Sequence, residues 1–209
     1  MTTASRGSRA LLPNEVGRPT APAGRSKRVA EAAAVARKVV EEEGVGALTM
    51  RRLADEMGIQ APSLYKHFSG KADLELLLIE DAMFDIGEVT HEALRGPGSA
   101  GPLRNLLTTY RSYSLAHPNL YRLATSGHLR REQLPEGLEA WAGNPWFVVT
   151  GNPSMAQALW SFAHGMVILE LDGRYPSDSD LDKTWSAGAD AFEHAAPIHR
   201  IESDQDSGR

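Results

Sequence analysis

Cysteine is absent from the 209-residue chain. Its absence excludes disulfides and thiolate metal sites and suits a reducing compartment. No apolar run is long enough to span a bilayer, and the first thirty residues hold no apolar signal core. The expectation is therefore a soluble cytoplasmic protein with no membrane partner. The sequence also lacks a Gly-x-Ser-x-Gly nucleophile elbow and a glycine-rich nucleotide loop. No two histidines stand four apart on a helix as metal ligands would, and His194 and His199 are separated by a proline. Neither a metal nor another cofactor is expected. Nothing alternates with period two, so no strand is expected, and no segment repeats. What remains is 42% hydrophobic and 23% charged, an ordinary globular balance. Such a chain can bury a sizeable core, as one large domain or as a small domain joined to a larger one.

The formal net charge is −5, but it is unevenly spread. Residues 1–71 hold 12 Lys+Arg against 7 Asp+Glu, a net +5, and residues 72–209 hold 10 against 20, a net −10. A basic segment fused to an acidic one suits a part that meets phosphates and a part that does not, although solubilising surface charge gives the same arithmetic. Residues 1–24 are rich in Gly, Pro, Ser, Thr and Ala without periodicity, which predicts a disordered arm. Arg6, Arg9 and Arg18 make it basic, and Arg25, Lys27 and Arg28 follow at once. These groups could reach phosphates or a minor groove. Residues 200–209 read as a disordered tail.

Between the ends the periodicity is helical throughout, and the fold class is all-α. Ser26 is placed to cap a first helix whose stripe is Val29, Ala33, Ala36 and Val40, ending at Gly44. Thr49 can cap a second, with Met50, Leu53, Ala54 and Met57 on one face, stopped by Gly58. A third starts near Ala61 with Pro62 in its first turn, where a missing N–H costs little. Ser69 is placed to cap a fourth, through Leu76 and Ile79 to Ile86. A loop at 95–102 precedes a helix from Leu103 to Leu115, with a break near His117-Pro118. Residues 133–153 hold several Pro and Gly and read as loop-rich. Pro153 opens a helix to Leu171, and Asp180 caps a last one to Ala195.

Two short helices joined at Gly58 have the spacing of a helix-turn-helix, in which the second helix enters a major groove. Leu53, Ala54, Met57, Ile59, Leu64 and Phe68 would pin the pair to the first helix. That leaves Gln60, Ala61, Pro62, Ser63, Tyr65, Lys66 and His67 outward, with Lys71 at the start of the next helix. Gln can read adenine, Ala and Pro can touch a thymine methyl, and the others can reach phosphates or base edges. Spacing alone allows an ordinary helical hairpin with a solvated face equally well.

Beyond spacing, Gly44 to Leu78, GVGALTMRRLADEMGIQAPSLYKHFSGKADLELLL, resembles the DNA-binding domain of TetR-family transcriptional repressors. Gly44, Thr49, Leu53, Ala54, Gly58, Leu64, Tyr65, His67, Phe68, Lys71 and Leu74 carry the resemblance. It implies a homodimer on a palindromic operator in double-stranded DNA, released by a small-molecule effector. It implies that Thr49 and the backbone beside it meet a phosphate. Arg51 would then reach a base or phosphate, Ala61, Pro62 and Ser63 would face base edges, and Tyr65, His67 and Lys71 would grip the backbone. The chain departs from the tetracycline-responsive members, which place a glutamine where Ala61 stands and a tryptophan where Lys66 stands. Their operator does not carry over, although Gln60 is a partial substitute.

The domain expectation is an arm at 1–24, a helix-turn-helix domain at 25–71, a helical effector and dimerisation domain at 72–199 and a tail at 200–209. Within the larger domain Trp160, His164 and Gly165 resemble a Trp-His-Gly subtype of the family. Met155, Leu159, Phe162, Met166 and Leu169 form one apolar stripe there, and Trp160, His164, Val167 and Leu171 a second. Two stripes predict burial on two sides. Met155 and Leu159, with Leu181, Trp185, Gly188 and Phe192 of the last helix, are candidates for a four-helix dimer interface, or for ordinary core. Tyr110, Tyr113, His117, Trp160, Phe162, His164 and Met166 are candidate walls of an apolar effector pocket. His164 could be a ligand contact, a metal ligand or a satisfied core histidine, and a lone histidine beside a tryptophan is most often the last. An enzyme pairing His164 or His117 with Glu170, and a helical adaptor, are the alternatives to a DNA-binding regulator.

Overall fold

The computed structural model describes residues 16–19, 25–96 and 100–195. Among these there is no strand, and the helices are α1 (Lys27–Glu43), α2 (Met50–Glu56), α3 (Ala61–Leu64), α4 (Lys71–Arg95), α5 (Pro102–Ala116), α6 (Pro118–Thr125), α7 (Leu138–Thr150), α8 (Pro153–Leu171) and α9 (Leu181–Ala195). The expected all-α class holds. Most of the expected caps hold too. The Ser26 hydroxyl accepts from Val29 N–H, the Thr49 hydroxyl from Arg52 N–H and the Asp180 carboxylate from Lys183 N–H. Ser69 works in the opposite sense. Its N–H and hydroxyl donate to Asp73 at 2.6 and 2.7 Å, which holds that carboxyl below its usual range.

Two cores share α4. Near its start Leu74, Leu78 and Ala82 join Ala36, Val40, Leu53, Leu64, Phe68 and Leu120 in the core of a small head. Further along, Ile86 and Leu94 pack on the core of the larger body, built from Leu106, Tyr110, Tyr121, Trp146, Leu159, Val167 and Trp185. A helix common to both carries any tilt of the body into the head.

The loop-rich reading of 133–153 is corrected at α7, which runs as helix with Pro145 inside it. Proline lacks the N–H that would bond the carbonyl four residues back. That carbonyl, of Trp141, instead accepts a hydrogen bond at 2.9 Å from His91 Nε2 on α4. The His91 ring also stacks on the indole, centroids 4.9 Å apart. Gly87 makes room for this, since a Cβ there would stand 2.2 Å from Trp141. Tertiary contacts thus supply what proline removes.

The disordered-arm expectation is corrected for residues 16–19. Val16 packs on Phe84, Leu138 and Trp141, and Arg18 pairs with Glu88 on α4. Residues 1–15, 20–24 and the expected tail at 200–209 lie outside the described residues.

Candidate nucleic-acid interface and effector domain

The reading head is organised by Gly58, whose φ of 63° lies in the left-handed region. That single residue lets Gly58 N–H reach the Asp55 carbonyl at 3.1 Å and Ile59 N–H reach Ala54 at 3.0 Å, closing α2. Gln60 is then extended and α3 begins. Leu64 and Phe68 are buried, so the residues between and before them must face outward. Gln60, Pro62, Ser63, Tyr65, Lys66 and His67 are exposed, Tyr65 at 56%, and Ala61 is half-buried. Lys66 makes no ion pair among the described residues. From Met57 to Ala72 there is no acidic residue, although the chain as a whole has 27 Asp+Glu. A phosphate backbone laid along α3 therefore meets Lys66 and no carboxylate within that stretch.

The other cations of the head differ in availability. The Arg51 side chain is 92% exposed, and its nearest carboxylate, Asp55, is 3.9 Å away. Thr49 is exposed at the first turn of α2, but its hydroxyl already caps that turn. Arg52 is engaged within the head, pairing at its surface with Glu43 at 2.7 Å and with Glu56. Lys71 is partly engaged: its ammonium donates to the Val45 carbonyl at 2.8 Å and lies 3.4 Å from Glu75. It ties the start of α4 to the turn between α1 and α2, leaving one of its three donors free.

The expected pocket residues fall into three groups. Tyr110, Trp160 and His164 come together with Tyr121. The Tyr110 and Tyr121 hydroxyls are 2.9 Å apart, the Tyr121 hydroxyl is 2.7 Å from His164 Nδ1, and Trp160 stacks on His164 at 5.5 Å. Burial pushes the Tyr110 phenol up to about 12 and the Tyr121 phenol far above its usual range. Burial also lowers His164, favouring the neutral ring. A neutral His164 accepting at Nδ1 lets Tyr110 donate to Tyr121 and Tyr121 donate to the ring. Tyr121 reaches this cluster from α6, across the His117-Pro118 break that separates it from Tyr110 on α5.

Tyr113 and His117 face the other way, onto the head. The Tyr113 hydroxyl donates to Asp85 at 3.3 Å, and Asp85 also pairs with Arg37 at 2.6 Å. His117 Nδ1 is 2.8 Å from Glu41, and Asn119 Nδ2 donates to the Glu41 carbonyl at 3.0 Å. The α5–α6 corner therefore grips α1 on one side and α8 on the other. Phe162 and Met166 form the third group, inside the body: Phe162 lies against Trp185 and Phe192, and the Met166 sulfur accepts from the Tyr175 hydroxyl. Glu170 is engaged bidentately by Arg111, at 2.7 and 3.0 Å, and by the Trp185 indole, not by either histidine. An open groove of ≈ 480 Å³ lies between α5 and α9, lined by Arg104, Leu107, Arg111 and Trp185 among others.

The candidate interface residues also divide. Leu159 and Trp185 are buried within the subunit, Gly188 and Phe192 pack on Phe162, and Met155 and Leu181 are half-buried. The exposed large apolar groups of α8 are instead Trp160, at 41%, and Leu169, at 42%.

The buried relay predicts a pH dependence. Because the folded His164 pKa lies below that of a free histidine, the unfolded chain binds the extra proton first. Its contribution to stability is complete above about pH 6.5 and is lost as pH falls from there through the folded value. Urea midpoints at pH 7.5 and 5 should fall further for the parent than for His164→Gln. Equal falls would remove His164 as the cause.

Residues 28–76 match the family described as "Bacterial regulatory proteins, tetR family", and residues 103–192 match "Tetracyclin repressor-like, C-terminal domain". HTH-type transcriptional regulator Rv0681 of Mycobacterium tuberculosis is 30% identical over 193 residues, covering 83% of this chain and 87% of that relative. Among solved structures, a protein of unknown function from Rhodococcus sp. RHA1 superposes with a TM-score of 0.65 at 19% identity, over 84% of this chain and 98% of its own. A TetR variant from Acinetobacter baumannii AYE, in complex with minocycline, gives 0.55 at 22% identity, over 82% and 96%. Among the described residues no helix is long and apolar enough to cross a membrane. With its head and body both matched, this chain belongs to the TetR family of DNA-binding transcriptional regulators.

Proposed function

We propose that this regulator is a repressor that binds a palindromic operator as a homodimer and is released by a small, mostly apolar effector. The observation that carries the reading is the acid-free surface from Gln60 to His67, presented on a turn fixed by Gly58 and anchored by Leu64 and Phe68. In this reading Ala61, Pro62 and Ser63 face base edges, while Thr49, Arg51, Tyr65, Lys66, His67 and the free donor of Lys71 meet phosphates. Two heads on a two-fold operator require two subunits. The exposed Trp160 and Leu169 on α8 supply apolar surface for their contact, with the small Ala158, Ser161 and Gly165 on the same helix allowing a close helix crossing.

In this reading the effector occupies the same region of α8, beside the cluster of Tyr110, Tyr121, His164 and Trp160. A molecule seated against Trp160, His164 and Tyr110 alters the subunit contact and hence the spacing of the heads. To loosen DNA tenfold it must favour the non-binding spacing by about 1.4 kcal/mol. The test is a gel shift with DNA upstream of the chain's own gene. One discrete, saturable complex resistant to competitor DNA is expected; binding only at random-sequence affinity would oppose the proposal.

A further inference from the structure

We infer that residues 16–18 form a strap over α4 and α7, and that the strap and DNA compete for the basic arm. Val16 sits on the apolar patch of Phe84, Leu138 and Trp141. Arg18 pairs with Glu88, and the largely buried Arg25 pairs with Glu80 and Asp81 at 3.0 and 2.7 Å. The strap thus lies along an acidic edge of α4, and the match is both apolar and electrostatic.

The direction of the strap is what makes it an alternative to DNA contact. Lys71 marks the end of α4 nearest the reading head. At about 1.5 Å per residue, Glu80 lies about 14 Å along the helix from Lys71 and Glu88 about 26 Å. Docked, Arg18 is therefore held well away from the face that carries α3. The seven residues from Arg25 to Arg18 span at most about 25 Å when extended. Pivoting at Arg25, that length suffices to bring Arg18 back to the head, but only after it leaves Glu88. The ion pair is exposed on both sides, Arg18 at 59% and Glu88 at 44%, so it is weak enough to exchange for a phosphate.

The cysteine-free chain makes the test clean. A Cβ added at Gly17 would meet nothing within 4 Å, and Ala140 is exposed on α7. Spin labels on Gly17→Cys and Ala140→Cys, diluted with unlabelled protein, should give one short, narrow distance. Adding a duplex that the protein binds should shift it to a long, broad distribution. A broad distribution without DNA, or a short one that persists with DNA, would overturn the inference. Glu88→Arg should broaden the distance without DNA and tighten DNA binding three- to tenfold, with a steeper salt dependence by about one unit per added phosphate contact. Its own new charge is about 26 Å from the head, beyond the Debye length, so it adds little directly. Arg18→Glu combined with Glu88→Arg should restore the short distance and cancel the gain. Unchanged affinity in Glu88→Arg would also overturn the competition.

Discussion

Phe68→Ala is expected to abolish operator binding without touching the DNA-facing surface. Phe68 is buried beside Leu53, Leu64, Leu74 and Leu78, and removing a buried phenylalanine costs about 3–5 kcal/mol. The head has little else to lose, because α3 is one turn long and the backbone after it depends on the Phe68 N–H to Leu64 carbonyl bond. A short helix of that kind persists only through its packing. The body has its own core around Tyr110, Tyr121 and Trp146 and should remain folded. Urea titration should therefore show an early transition involving a minor part of the helix signal, with the main transition near its parent position. A single transition at the parent midpoint would contradict the assignment of Phe68 as the anchor of the reading turn.

Trp160→Glu is expected to convert a dimer to a monomer and to weaken operator binding by more than a hundredfold. Trp160 is exposed in the single subunit yet stacks in order on His164. In the proposed dimer a large ordered indole at the α8 contact would have the profile of a hot spot, where truncation alone costs about 2 kcal/mol or more. A buried carboxylate there adds a desolvation cost that no nearby cation of α8 relieves. Leu159, one residue before it, is buried in the core and unaffected, so thermal unfolding of the isolated subunit should change little. The check is light scattering, with operator titration alongside. A variant that stays dimeric would move the subunit contact away from this face of α8.

Much of the architecture was legible because it depends on local chemistry. Ser26, Thr49 and Asp180 announced helix starts through their side-chain oxygens, and Gly58 announced the turn through its left-handed backbone. Proline misled at residue 145, because the hydrogen bond that rescues Trp141 comes from His91, fifty residues earlier. The arm misled for a related reason. Low hydrophobicity at 1–24 hid one valine that meets a patch assembled from α4 and α7. On α8 the two stripes were correctly read as apolar. Periodicity does not say how far along either stripe is buried, however: Leu159 went inside and Leu169 of the same stripe stayed out, while Val167 went inside and Trp160 of the second stripe stayed out. The pocket wall separated because Tyr110 and Tyr113, three apart on α5, diverge to opposite partners, His164 through Tyr121 on one side and Asp85 on the other. Lys71 was legible as a helix-start cation but not as the donor to Val45, which depends on the turn after α1.

The claim that the exposed start of α3 reads base edges is tested most directly by selecting binding sites from randomised duplexes with the parent protein and with Ala61→Gln and Ser63→Ala. Ser63 is exposed and Ala61 sits half-buried at the edge of the head's core, so neither substitution removes buried volume. The parent should enrich an inverted repeat, and each variant should change the preferred base at symmetry-related positions of both half-sites, by about 1–3 kcal/mol per pair. An enriched sequence without two-fold symmetry, or the same sequence selected by all three proteins, would contradict it.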